Sequence, residues 1–280
     1  MSAVTGPLRI ALVQQHAGTD HEDNVRRGLA AVEHAAADGA RVVGFAELAF
    51  ERFHPQSRAS GDVLTLAEPV PGPTVERFAQ CARRLGVVIV LNLYERAGDR
   101  AYDASPVIDA DGALLGVTRM LHITDYACFH ERDYYTPGDT GAPVYHTKHG
   151  RIGVAICYDR HYPEYMRALA LAGAEVVFIP QAGTVGEWPE GLYEAEMRVA
   201  AFQNGYFTAL ANRVGREPQL DFAGESFVCD PAGRVIARAA TGRDEILVCD
   251  LDLAEIERSH ARTLFLRDRR PELYRDWFSR

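Results

Sequence analysis

The strongest constraint on the fold of this chain is a rhythm. Short runs rich in Val and Ile alternate with longer stretches of helical periodicity. LRIALVQ (8–14), RVVGFAE (41–47) and VVIVLNLY (87–94) are separated by amphipathic patterns over Asn24–Ala37 and Val75–Leu85. The rhythm returns as RIGVAICYD (151–159), Pro163–Gly173, AEVVFIP (174–180), Glu190–Asn204 and YFTALANRV (206–214). Strands this apolar have no polar face to give to water, so they need cover on both sides. That requirement predicts an α/β layered protein.

Two segments break the rhythm and predict antiparallel pairing. ASPVIDADGALLGVTRML (104–121) reads as a hairpin turning at Asp111-Gly112, and ESFVCD with RVIARAA reads as a second, joined at Pro231-Ala232-Gly233. A last strand follows in EILVCDLD (245–252), so the sheets are expected to be mixed. No Gly/Ser/Pro-rich linker divides the chain, which predicts a single domain over 1–260. Residues 261–280, rich in Arg, Asp and aromatics without strong periodicity, are expected to form an arm packing on the domain or on a partner subunit.

Charge removes several functions from consideration. Acidic side chains outnumber basic ones 39 to 30, a net charge of -9, and the basic residues are scattered, so nucleic acid is not an expected partner. Lys148 is the only lysine; every other basic side chain is arginine. A long apolar helical span and a leader pattern are both missing from the sequence, so neither a membrane nor secretion is expected. Five cysteines, Cys81, Cys128, Cys157, Cys229 and Cys249, form no C-x-x-C pair, which fits free thiols in a reducing cytoplasm. His146 and His149 flank a turn without further ligands, and no metal or cofactor is expected.

Three segments carry reactive side chains. Glu47 closes the apolar run VVGFA, which places it at the carboxyl end of a strand, where crevices of α/β sheets form. Cys157 ends IGVAI six residues before Pro163, between a strand end and a helix start. Backbone N–H groups there favour a thiolate or hold a developing oxyanion, although a free cysteine is as often a small buried hydrophobe. Glu131 stands among His130, Arg132 and Asp133, ahead of the turn Thr136-Pro137-Gly138-Asp139, and composition alone reads that stretch as a charged loop.

Taken together, GFAEL around Glu47, the block ending in Glu131 and TPGD, GVAICYDRHYPE around Cys157, GAEVVFIP, EAEMRVAAFQN and YFTALANRVG resemble the nitrilase, or carbon-nitrogen hydrolase, superfamily. The likeness runs from about Leu8 to Asp252 and is most similar to the β-ureidopropionase and N-carbamoyl amidohydrolase group. It implies a four-layer αββα sandwich with two mixed sheets, assembled as a homodimer or higher homo-oligomer. It also implies a small amide or N-carbamoyl substrate and cysteine-dependent hydrolysis through a thioester, releasing ammonia or an amine. Carried over residue by residue, Glu47 matches the general base, Cys157 the nucleophile and Glu131 a supporting glutamate. Arg160 matches an arginine that holds a substrate carboxylate, with Tyr158 and His122 beside the substrate.

One position departs from the resemblance. The family's lysine lies eleven residues before the second glutamate, and counting back from Glu131 reaches Met120, with His122 in register two residues on. Methionine offers a thioether and no donor. Loss of one oxyanion donor costs about 3 to 4 kcal/mol, and loss of the cation leaves Glu47 and Glu131 as close like charges. Strand alternation turns Arg119 to the opposite face, while His122 shares the face of Met120. The sequence therefore supports two readings: a thiol hydrolase, or a weakened or inactive relative that binds a small molecule.

Overall fold

The computed structural model describes residues 6–278. The first five residues, part of the stretch read above for a leader pattern, and the last two of the C-terminal arm lie outside the described residues. In chain order the first half carries β1 (Leu8–Gln14), α1 (His21–Ala37), β2 (Val42–Phe45), α2 (Pro73–Leu85), β3 (Val88–Val90), β4 (Leu93–Ala97), β5 (Arg100–Ile108) and β6 (Leu114–Arg119). The second half carries β7 (Val144–Thr147), β8 (Gly150–Val154), α3 (Pro163–Leu171), β9 (Val176–Gln181), α4 (Leu192–Asn204), β10 (Phe207–Asn212), β11 (Val214–Arg216), β12 (Asp221–Ala223), β13 (Phe227–Cys229), β14 (Val235–Arg238) and β15 (Glu245–Leu251). Two helices follow, α5 (Ala254–Arg258) and α6 (Pro271–Phe278).

Two mixed sheets result. One runs β15-β1-β2-β3-β5-β4 with β6 on the other edge of β5; the second runs β14-β13-β10-β9-β8-β7. Alternation along each strand sorts the side chains into layers. Ile10 and Leu12 of β1 join Val176 and Phe178 of β9 in a core between the sheets. Ala11 and Val13 instead face α1 and α2, while Val177 and Ile179 face α3 and α4. This is the expected αββα order, with helices outside and sheets inside. The sheets approach closely at Gly44, where an added Cβ would lie 2.4 Å from the Phe178 ring.

Three local differences from the sequence reading have physical causes. The run VVIVLNLY is split into β3 and β4, although both keep one register on β5. The gap faces Pro106, which has no N–H for the ladder, and there Asn92 turns its side chain into the protein. The run through Cys157 ends as a strand at Val154, because Cys157–His161 winds into a 3-10 turn. The arm holds a helix, α6, whose Tyr274 and Trp277 line a groove with Pro163 and Leu171 of α3.

Candidate active site

Each reactive residue stands where a regular element breaks. Glu47 lies two residues past β2 and is fully buried. The next residue, Leu48, has φ 43°, a left-handed backbone uncommon for a branched side chain. Cys157, 5% exposed, opens its 3-10 turn at φ 42°. Such outliers cost on the order of 1–3 kcal/mol each and persist only where surroundings enforce them. At Leu48 the enforcement is visible: Asn92 Oδ1 accepts from Leu48 N at 2.7 Å, and the buried Arg213 donates to the carbonyl of Glu47 at 2.9 Å. Arg213 also pairs with Glu217 at 2.5 Å, so its charge is engaged behind the loop.

On the nucleophile side a chain of bonds reaches the sulfur. Arg160, 4% exposed, donates through Nη1 to Gln181 Oε1 at 2.7 Å and to the carbonyl of Cys157 at 2.9 Å, and through Nε to Glu196 at 3.2 Å. Holding the Gln181 carbonyl turns its amide so that Nε2 donates to Cys157 Sγ at 3.4 Å. Nη2 of Arg160 is buried without a partner, and the guanidinium lies over the Tyr193 ring, 4.7 Å from its centroid. The same turn holds the segment after β6: Asp159 accepts from the backbone of Leu121 at 3.1 Å and from His122 Nδ1 at 2.7 Å. The His122 ring stacks 3.4 Å from that of Tyr162.

Met120, 1% exposed, packs in the same buried cluster as Cys157 and Tyr145, with Tyr158 against its edge. Arg119 is engaged elsewhere, by Glu95 at 2.6 Å and Asp139 at 2.9 Å. Lys148 is exposed in the turn between β7 and β8. Among the described residues, no Lys, Arg or His side chain bonds the carboxyls of Glu47 or Glu131. Both Glu47 oxygens are buried without a partner, and Glu131 has only Thr124 N, at 3.0 Å on Oε2.

A third carboxyl joins them. Asp103, in the middle of β5 and 1% exposed, accepts from Asn92 Nδ2 at 2.6 Å on Oδ1, while Oδ2 is buried without a partner. Two full charges about 4 Å apart repel by about 4 kcal/mol at an effective dielectric of about 20, roughly three pK units. Burial is the leading cause at each group. It pushes Glu47 far above the usual carboxylate range, with the charges of Asp103 and Glu131 adding to it. Burial also raises Glu131, eased by the Thr124 N–H, and pushes Asp103 up to about 7. The Cys157 thiol is raised by burial and by the Glu47 charge, against a lowering by Arg160. A thiol held neutral needs a base at the moment it attacks.

The structure thus brings Glu47, Cys157 and Glu131 together with Met120, Tyr158 and Arg160, and sets His122 on Asp159 at the border. Asp103, Gln181, Tyr135 and Glu187 escaped the sequence reading. Asp103 left one trace, an acid in the apolar run RAYDASPVI. Tyr135 carries a buried hydroxyl without a partner, facing Asp103, Glu47 and Glu131. Glu187 accepts from the hydroxyls of Tyr126, at 2.5 Å, and Tyr193. Among the described residues no helix is long and apolar enough to cross a membrane, and no three His, Cys, Asp or Glu side chains converge as metal ligands.

Comparison with known proteins bears on the family and the fold. Residues 9–261 match the carbon-nitrogen hydrolase family. An N-carbamoylputrescine amidase of Solanum lycopersicum is 36% identical, over 96% of this chain and 94% of its own. A carbon-nitrogen hydrolase from Helicobacter pylori G27 superposes with a TM-score of 0.91 at 29% identity, covering 98% of this chain and 99% of its own. A mutant amidase from Nesterenkonia sp. AN1, with a TM-score of 0.82 at 25% identity over 99% of each chain, shows covalent addition of the acetamide moiety of fluoroacetamide at the active site cysteine.

Proposed function

We propose a reaction course for this chain on the premise that it belongs to the carbon-nitrogen hydrolase family and hydrolyses an amide carbon-nitrogen bond. The single observation that carries the reading is the burial of a neutral thiol, Cys157, beside a buried carboxyl, Glu47, both of whose oxygens are free of any other hydrogen-bond partner and able to take its proton. As the sulfur attacks the carbonyl carbon, its proton passes to Glu47 and the carbonyl electrons move onto oxygen. Collapse breaks the carbon-nitrogen bond, Glu47 returns the proton to nitrogen, and a thioester remains. Water then gives a proton to Glu47 and its oxygen to the acyl carbon, and the thiolate leaves and is reprotonated.

Met120 provides no donor for the oxyanion. The Tyr135 hydroxyl and the N–H of Tyr158, which has no acceptor inside the first turn of its 3-10 helix, are the donors we assign to it. Glu131 supports the base from beside it. In our reading Tyr158 and His122 border the substrate, while Arg160 acts from beneath by orienting Gln181 and offers only Nη2 to a substrate anion. The substrate class is a small amide or N-carbamoyl compound, the latter favoured by likeness to a carbamoyl amidase. A homodimer, in a cytoplasmic setting, completes the proposal.

The test is ammonia release from N-carbamoyl amines, N-carbamoyl amino acids and simple amides, with Cys157→Ala as control. Release lost in the control supports the reading. A specific observation keeps a second reading in view: among the described residues, no cation bonds the carboxyl cluster. If no substrate class yields ammonia but the intact protein binds an N-carbamoyl compound, the chain is a binding relative of the family.

A further inference from the structure

Resting on the nucleophile and base assigned above, we propose that Asp103 is the positioning partner of Glu47: their facing carboxyls hold one proton between them, and that proton sets the charge of the base. Geometry carries this. Asn92 ties the two together, accepting from Leu48 N, next to Glu47, at 2.7 Å and donating to Asp103 Oδ1 at 2.6 Å, and each carboxyl is an acceptor only when ionised. Both Glu47 oxygens and Asp103 Oδ2 are buried with no other partner. Two bare carboxylates buried together with no cation between them repel, so the pair retains one proton. Asp103 itself is locked: Asn92 grips Oδ1, and its own carbonyl accepts from Met120 N at 2.9 Å.

The surroundings enforce the proton rather than remove it. From β2 and the loop after it Asp103 faces Glu47 and Glu51; from the nucleophile's turn it faces Asp159, whose own charge is answered by His122. Glu131 and Tyr135 face it from the segment after β6, and Tyr94 from β4. All of these are acids or phenols, and among the described residues none of its bonding partners is a cation. A lysine here would neutralise one carboxylate; in a cluster with Met120 instead, a retained proton does the same work.

The proton balance closes over a cycle. When the shared proton passes to Asp103, Glu47 becomes a carboxylate and accepts the thiol proton as the sulfur-carbon bond forms. The pair then carries two protons. Glu47 gives one to the departing nitrogen as the carbon-nitrogen bond breaks, and the pair returns to one. Deacylation repeats the exchange with water and the thiolate. Loss of the last proton leaves two carboxylates whose repulsion turns Glu47 away from the thiol, and gain of a second before attack removes the base, so activity is bell-shaped in pH.

The experiment compares pH profiles of kcat/KM for wild type, Asp103→Asn and Asp103→Ala from about pH 5 to about pH 10. Asparagine donates permanently to the Glu47 carboxylate, so its alkaline limb should move up by more than about one pH unit, whereas alanine should cost about tenfold or more across the range. An Asp103→Asn profile that superimposes on wild type overturns the proposal. Infrared spectroscopy of the wild-type enzyme decides the case if the variants fail to fold. A protonated-carboxyl band that titrates in the neutral range supports the shared proton, and its absence overturns it. Iodoacetamide labelling separates the two layers, because an unlabelled Cys157 sinks the nucleophile reading while the infrared band still judges the pair.

Discussion

At the end of β8, the charges beside Cys157 are answered: Arg160 is engaged by Glu196, Gln181 and a carbonyl, and Asp159 by His122. Near the end of β2, Glu47, Asp103 and Glu131 meet, and among the described residues their donors are Thr124 N, on Glu131, and Asn92, on Asp103. The difference separates two tasks. In our proposal a paired network fixes where the sulfur sits, while the carboxyl cluster exchanges protons, because among the described residues no fixed cation neutralises its charge.

The largest expected effect removes the nucleophile: Cys157→Ala should lower kcat by about 10⁴-fold or more with the melting transition preserved. Glu47→Gln comes next, at about 10²- to 10⁴-fold, and should leave Cys157 open to haloacetamide labelling, detected by peptide mass. Breaking the paired side instead should act through stability. Arg160→Met strips Gln181 and Glu196 of their donor and should destabilise by about 3 kcal/mol in denaturant titration, as loss of one partner of a buried ion pair does.

On the unpaired side the sign is opposite. Asp103 has a folded-state pKa pushed up to about 7, above the ordinary 3.8, so the folded chain binds the extra proton between those values. Wild-type stability is therefore greatest below the unfolded value and declines as pH rises through the folded one. Asp103→Asn lacks that decline, so its advantage over wild type should grow from about pH 4 to about pH 7, at about 1.4 kcal/mol per pK unit, and then level off. Thermal melts across that range measure it; a constant difference would show that Asp103 is ionised in the folded protein. Lys148→Met should be the smallest change, within about 0.5 kcal/mol and without effect on rate, because the only lysine stands exposed in a turn.

How far the site was legible follows from periodicity. Strand ends are visible as the close of an apolar run, and those closes carried Glu47 and Cys157. An α/β layered fold was equally visible in the alternation of apolar runs and helical patterns, whereas the αββα order was implied by the family likeness. Asp103 was hidden because its run reads as one arm of a hairpin, and nothing local shows that Asn92, eleven residues earlier, bonds to it. Arg160 was visible as a residue beside the nucleophile, but its engagement with Gln181 and Glu196 spans 21 and 36 positions and has no local signature.

The sequence by itself determined the α/β alternation, the family likeness, the candidates for base and nucleophile and the absence of a lysine in the register before Glu131, because these depend on neighbours along the chain. Tertiary structure alone decided which charges meet. Carboxyls at 47, 103 and 131 are far apart in sequence, and their protonation depends on burial and on one another, which only packing of the two sheets creates.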